Sequence, residues 1–171
     1  MNVLYGPDFC IRENTAIAIG KFDGLHIGHR KIIQELIHHS KLNNFKSVIY
    51  TFDKNPRLVL HQDNFIPLMT NEEKTGEFEK LNIDYLIYEK FNKKFAEMEP
   101  EEFVKDILID KLSVKLVVIG KNSTFGNNQH GNFQTMKELG DKYGFDVINV
   151  DMILNNGKVV SSTGIREHNF Q

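Results

Sequence analysis

The chain has 171 residues, 40% hydrophobic and 26% charged, with 21 basic and 23 acidic side chains and a formal net charge of −2. That length carries one domain with a sizeable core, and the near-neutral balance excludes a broad nucleic-acid surface, which is basic as a rule. A single cysteine, Cys10, excludes an internal disulfide and suits a reducing cytoplasm. Residues 1–15 contain Asp8, Arg12 and Glu13 where a signal peptide needs an apolar core, and no apolar run approaches the length of a membrane span. Cys10 lies outside every motif and reads as a packing residue.

Strand-like runs alternate with helical patterns. Thr15–Gly20 reads as a first, buried strand. An amphipathic helix follows from Arg30 to about Asn43 and is ended by Asn43-Asn44. Lys46–Phe52 is a second strand, and Asp53–Pro67 is a loop punctuated by Pro56 and Pro67. Thr70-Asn71-Glu72-Glu73 has the form of a capping box, so the spacing predicts a helix over about 71–81. Tyr85–Tyr88 is a third strand. Pro100 opens a helix that reaches about Leu112, with Glu101, Glu102 and Asp106 complementing its dipole. Lys115–Gly120 is a fourth strand, Asn132–Tyr143 a helix stopped by Gly144, and Phe145–Val150 a fifth strand. Lys158–Ser161 is a short edge or bend, and Thr163 opens a last helix.

This alternation predicts an α/β fold with a parallel five-stranded sheet and helices on both faces. Ligands of such sheets bind beyond the carboxyl ends of the strands. The polar motifs of this chain follow those ends.

The most specific motif is Gly20-Lys21-Phe22-Asp23-Gly24-Leu25-His26-Ile27-Gly28-His29, set between the first strand and the first helix. Gly20 allows a sharp turn, and the helix start offers free N–H groups and partial positive charge to phosphate oxygens. His26 and His29, three apart, share a side of the helix start. The competing readings are two solvated histidines on a surface loop, or a zinc pair. The zinc reading lacks a third ligand, since Cys10 is alone and no His-Glu-x-x-His is present.

Three further segments carry weaker signals. After the second strand, Phe52 and Pro56 form an apolar ledge for a planar ring and Arg57 can fork onto a phosphate; taken alone, a proline turn with a solvated arginine is the commoner case. After the fourth strand, Gly120-Lys121-Asn122-Ser123-Thr124-Phe125-Gly126 and Gly131 make a polar loop able to close over a ligand while Phe125 covers a ring, or equally an ordinary surface loop. Ser161-Ser162-Thr163, with Arg166 a turn later, can cap a helix, donate to phosphate, or both.

Taken in order, these four segments resemble the adenylyltransferase module of the bacterial bifunctional riboflavin kinase/FMN adenylyltransferase family, also called FAD synthetase. The family's Gly-x-Phe-Asp-Gly-x-His-x-Gly-His is met at Gly20–His29, its Phe-x-x-x-Pro at Phe52 and Pro56, its Gly-x-Asn/Asp-x-x-Phe-Gly at Gly120–Gly126, and its Ser-Ser-Thr-x-Ile-Arg at Ser161–Arg166. Ser123 stands where the family usually has an aromatic residue. The chain stops at Gln171, so the family's second module, a β-barrel riboflavin kinase, is expected to be absent and residues 1–171 to form a single nucleotidyltransferase domain.

The resemblance implies a Rossmann-like nucleotidyltransferase fold and a reaction in which FMN and ATP give FAD and pyrophosphate with Mg²⁺. It implies that His26, His29, Asn122 and Arg166 serve the reacting phosphates. Gly20, Lys21, Phe22, Asp23, Gly28, Ser162 and Thr163 would hold the nucleotide, and Phe52, Pro56, Arg57 and Phe125 the flavin side. The expected partners are these small molecules, in the cytoplasm, with no nucleic acid and no membrane. The alternatives are a cytidylyltransferase on another small phosphate, a class I tRNA synthetase fragment lacking its lysine-rich motif, and a non-catalytic flavin or nucleotide sensor.

Overall fold

The computed structural model describes residues 1–22, 27–54, 69–120, 125, 131–150, 154–155 and 158–159. In chain order the elements are β1 (Asn2–Tyr5), β2 (Thr15–Ile19), α1 (Ile27–Asn43), β3 (Lys46–Phe52), α2 (Asn71–Glu79), β4 (Tyr85–Glu89), α3 (Lys93–Ala96), α4 (Pro100–Glu102), β5 (Val114–Gly120), α5 (Phe133–Tyr143), β6 (Asp146–Val150), β7 (Leu154–Asn155) and β8 (Lys158–Val159). α4 runs on into a π-helical segment, Phe103–Ile109.

Six strands form one parallel sheet in the order β1-β4-β3-β2-β5-β6. The expected count of five omits β1, which pairs Asn2–Tyr5 against Tyr85–Tyr88 at the sheet's edge. Four residues ending at Gly6-Pro7 show no alternation that marks a strand; the partner strand makes it one. β7 and β8 form a separate antiparallel hairpin, where the sequence suggests only an edge or bend.

The core lies on both faces of the sheet, and the alternation of side chains along each strand divides it. Ala16, Ala18, Ile49, Leu86 and Val118 point to one face, where α1 supplies Ile32, Ile33 and Leu36 and α2 supplies Phe78. Ile17, Ile19, Tyr50, Ile87, Val117 and Ile119 point to the other, covered by Phe103, Val104, Ile107 and Leu108 of the π segment and by Met136 and Leu139 of α5. The five residues of β2 are all buried, as a central strand covered on both faces requires.

Helix ends follow their local chemistry. Thr70 caps α2: its hydroxyl accepts from the Glu73 N–H at 3.1 Å and the Glu73 carboxylate accepts from the Thr70 N–H at 3.1 Å. Asn132 caps α5 through Thr135 N–H, and Gly144 ends it at φ 87°. Two expectations change. The single helix from Pro100 to about Leu112 is α-helical for one turn only and then widens, with Asp110 N–H donating to Lys105 O and Leu112 N–H to Ile107 O, five residues back. Cys10 is exposed rather than packed; its neighbours Phe9 and Ile11 take the buried positions. The helix expected from Thr163 lies outside the described residues.

Candidate active site at the carboxyl edge of the sheet

Because the strands are parallel, Gly20, Phe52, Glu89 and Gly120 follow or end neighbouring strands on one edge. The order reverses at β2: β3 and β4 lie to one side of it and β5 and β6 to the other. A reversal of this kind opens a crevice beyond the strand ends, the usual ligand position in open α/β sheets.

The turn after β2 is built around Phe22. Its ring is fully buried and meets Phe78 of α2 edge to face, with centroids 5.8 Å apart. Its backbone is left-handed, at φ 51°. That conformation is costly for a residue with a Cβ, and the buried ring holds it in place. The sharp turn expected at Gly20 is therefore made two residues later. Gly20 is needed for space: a Cβ there would sit 3.1 Å from the Phe22 ring. Its N–H continues the sheet by donating to Tyr50 O at 3.1 Å.

α1 begins at Ile27, so Gly28 and His29 lie in its first turn. No acidic residue occupies that turn, so within the helix itself no side chain offsets the partial positive charge of its start. His29 is half-buried, with its Nδ1 atom inside and its ring edge-on to Phe22 at 5.2 Å. Lys21 exposes its side chain, while its carbonyl accepts from the buried Thr51 hydroxyl at 3.1 Å. The turn is thus fastened to the end of β3.

At the end of β3, Phe52 is half-buried and opens a chain of rings. It contacts Phe91 and Phe95 at centroid distances of 5.3 and 5.7 Å; Phe95 contacts Phe103 at 6.1 Å, and Phe103 contacts Phe125 at 5.8 Å. Phe52 and Phe125, singled out in the sequence as separate ring partners, are two ends of one aromatic wall. Phe125 is further held by paired backbone hydrogen bonds with Gly131, where a Cβ would lie 2.6 Å from the ring. The middle of this wall, Phe91, Phe95 and Phe103, escaped the motif reading. The phenylalanine content, 13 residues with 3 of them inside Phe91–Phe103, was its only trace in the sequence.

Asp53 stitches this edge together. Its N–H donates to Glu89 O, its carboxylate accepts from Phe91 N–H, and its carbonyl accepts from Asn71 Nδ2 at the start of α2. Beneath it, Tyr50 donates to Glu89 Oε1 at 3.0 Å, with both side chains buried. Burial raises the Glu89 carboxyl, against the pull of the Tyr50 hydrogen bond and the Lys111 charge. Burial, then the neighbouring Glu89 charge, pushes the Tyr50 phenol well above its ordinary range. A Cβ at Gly6 would overlap Glu89 Oε2, so β1's exit is shaped around this carboxyl.

Of the residues singled out by sequence, Gly20, Lys21, Phe22, Gly28, His29, Phe52 and Phe125 fall on this edge. Asp23, His26, Pro56, Arg57, Asn122, Ser123, Ser162, Thr163 and Arg166 lie outside the described residues. Among the described residues, no group of three or more His, Cys, Asp or Glu is placed to hold a metal ion, and no helix is long and apolar enough to cross a membrane.

The family model described as FAD synthetase matches residues 9–164. The chain is 36% identical over 159 residues to the bifunctional riboflavin kinase/FMN adenylyltransferase of Buchnera aphidicola subsp. Schizaphis graminum, covering 92% of this chain and 51% of that protein. It is 30% identical over 157 residues to the FAD synthetase of Listeria monocytogenes, covering 89% of this chain and 62% of that protein. The chain thus spans about half the length of the first of these curated relatives. Its fold is similar to the crystal structure of a protein described as a macrolide-efflux protein from Streptococcus pneumoniae, with a TM-score of 0.86 at 22% identity, over 98% of this chain and 55% of that one. At that identity the likeness concerns the fold alone.

Proposed function

The chain belongs to the FAD synthetase family, and we propose from this that it transfers the AMP moiety of ATP to FMN, giving FAD and pyrophosphate. The observation that carries the reading is the carboxyl edge itself. An anion-ready helix start bearing His29 stands beyond β2, and an aromatic wall ending at Phe52 and Phe125 stands beyond β3 and β5.

A phosphate oxygen of FMN attacks the α-phosphorus of ATP in line. One P–O bond forms, the α–β bridging bond breaks, and its electron pair leaves on pyrophosphate. The attacking phosphate is largely ionised near neutral pH, since its second pKa is about 6, so no general base is required. Catalysis is then positioning and charge stabilisation. His29 and His26 donate to phosphate oxygens as charge builds. The N–H groups around Gly20–Phe22 and Gly28 cradle the triphosphate, with Asp23 ordering the turn or meeting the ribose. Asn122 serves the phosphates, and Ser162, Thr163 and Arg166 the pyrophosphate end. Phe52, Pro56 and Phe125, with Arg57, hold the flavin side. Mg²⁺ would suit such a site, held largely by substrate phosphates and water with Asn122 nearby rather than by a protein cage, and would supply charge neutralisation for the leaving pyrophosphate. We assign the whole reaction to residues 1–171 as one domain acting on small molecules in the cytoplasm.

The test is chromatography of purified protein incubated with ATP, Mg²⁺ and FMN, with CTP replacing ATP and riboflavin replacing FMN in control reactions. FAD formed from FMN and ATP alone supports the assignment. FAD absent, or a product formed with CTP, overturns it.

A further inference from the structure

Lys74 belongs to none of the motifs, yet it is only 7% exposed, at the carboxyl edge of the sheet. A lysine is rarely buried to this degree unless it is paired. It projects from the first turns of α2, one helical turn before Phe78, and the two residues share a face. Phe78 meets the Phe22 ring; Lys74 Nζ lies 3.5 Å from the Lys21 carbonyl oxygen, the same oxygen that accepts from Thr51 Oγ1 at 3.1 Å. The ammonium also stands 5.6 Å from the centre of the Tyr88 ring.

α2 is itself firmly set. Its capping box closes its start, Asn71 Nδ2 donates to Asp53 O at 2.8 Å, and Tyr88 OH bonds Asn71 O at 2.9 Å. One carbonyl of the phosphate turn is therefore gripped from two directions, by a hydroxyl on β3 and an ammonium on α2. Because a trans peptide is planar, with C=O and N–H on opposite sides, fixing the Lys21 carbonyl fixes the direction of the Phe22 N–H.

Resting on the nucleotide-site reading above, we infer that Lys74 is a positioning residue for the triphosphate. With Thr51 it clamps the Lys21 carbonyl and so orients the Phe22 amide in the turn proposed to meet the phosphates.

The test measures binding of ATP with Mg²⁺, and separately of adenosine, by calorimetry in the absence of FMN. The variants are Lys74→Met, Lys74→Arg and Thr51→Val. Lys74→Met is expected to weaken ATP about 10- to 100-fold and adenosine less than about 2-fold, the loss being that of a charge-assisted contact. Its unfolding midpoint without ligand should fall modestly, because removing one partner of a buried polar contact leaves the Lys21 carbonyl with the Thr51 hydroxyl alone, and the ATP-to-adenosine ratio is read on the folded variant. Lys74→Arg recovers part of the loss, and Thr51→Val weakens ATP about 3- to 10-fold, as for one neutral hydrogen bond. Equal loss of ATP and adenosine, or unchanged ATP binding, overturns the inference. Should Lys74→Met fail to fold, Thr51→Val decides: ATP affinity within about 2-fold of the parent sinks the clamp. Wild-type protein that binds ATP but forms no FAD defeats the proposed reaction and leaves the clamp to be judged on the ATP-to-adenosine ratio. Wild-type protein that binds no ATP defeats both.

Discussion

The rings of Phe22 and His29 meet edge to face, 5.2 Å between centroids, so the first turn of α1 rests on the residue that shapes the turn after β2. His29 is placed by packing as well as by its helix. Under the proposed reaction its donor is aligned before substrate arrives. His29→Ala should cut turnover by at least ~100-fold, the loss of one oxyanion-type donor, with circular dichroism showing the fold intact and a modest drop in unfolding midpoint from the lost ring contact. Near-normal turnover would remove His29 from the chemistry.

Phe22 combines a fully buried ring with a left-handed backbone. Phe22→Ala deletes the ring and keeps a Cβ in the costly conformation. It should destabilise the protein by about 3–5 kcal/mol, the range for an aromatic removed from a core. Urea denaturation measures this directly. A loss below about 1 kcal/mol would mean that the turn does not depend on the ring.

The Glu89 carboxyl is raised in the folded protein, so the folded state binds more protons than the unfolded one over a window beginning near the ordinary value of 4.5 and ending at the raised one. Stability from this group therefore falls as pH rises through that window, and its cost is fully present above it. Glu89→Gln keeps an acceptor for Tyr50 and removes the titration. Melting the parent and the variant between pH 4 and pH 8 should show the parent losing ground to Glu89→Gln as pH rises. Parallel curves would refute the assignment.

Phe95 occupies the middle of the aromatic wall and packs on both Phe52 and Phe103. If the wall meets the flavin, Phe95→Ala should raise the KM for FMN by about 3- to 10-fold, the scale of one ring contact, with the KM for ATP little changed. Steady-state kinetics with each substrate varied in turn separates the two. A rise confined to ATP would reverse the assignment of sides.

The regular elements were legible because their signals are local. β3 runs Lys46–Phe52 as read, the Thr70 box and the Gly144 stop are where their residue types demand, and the alternation of strands and helices implied the parallel sheet. The candidate site was legible only where it is contiguous in sequence. Gly20 to His29 announces itself as a run. Thr51 and Lys74, which hold that run from 30 and 53 residues away, carry no motif of their own. Glu101 illustrates the same limit: read as dipole complement for its helix, it also accepts from Lys142 and Tyr143 of α5, contacts that only the packing of two helices creates. β1 is unreadable for a related reason, since its hydrogen bonds all lie with residues some 83 positions on.

That first strand has a protective consequence. β4 is buried along Leu86–Glu89 and pairs on its other side with β3. Without β1, its outer row of N–H and C=O groups would stand open beside an apolar surface, the template on which chains join edge to edge. β1 substitutes a four-residue, half-exposed border for that template. Its exit at Gly6 also lies close against the Glu89 carboxyl. Residues remote from the candidate site thereby shield the sheet against edge-to-edge pairing between copies of the molecule.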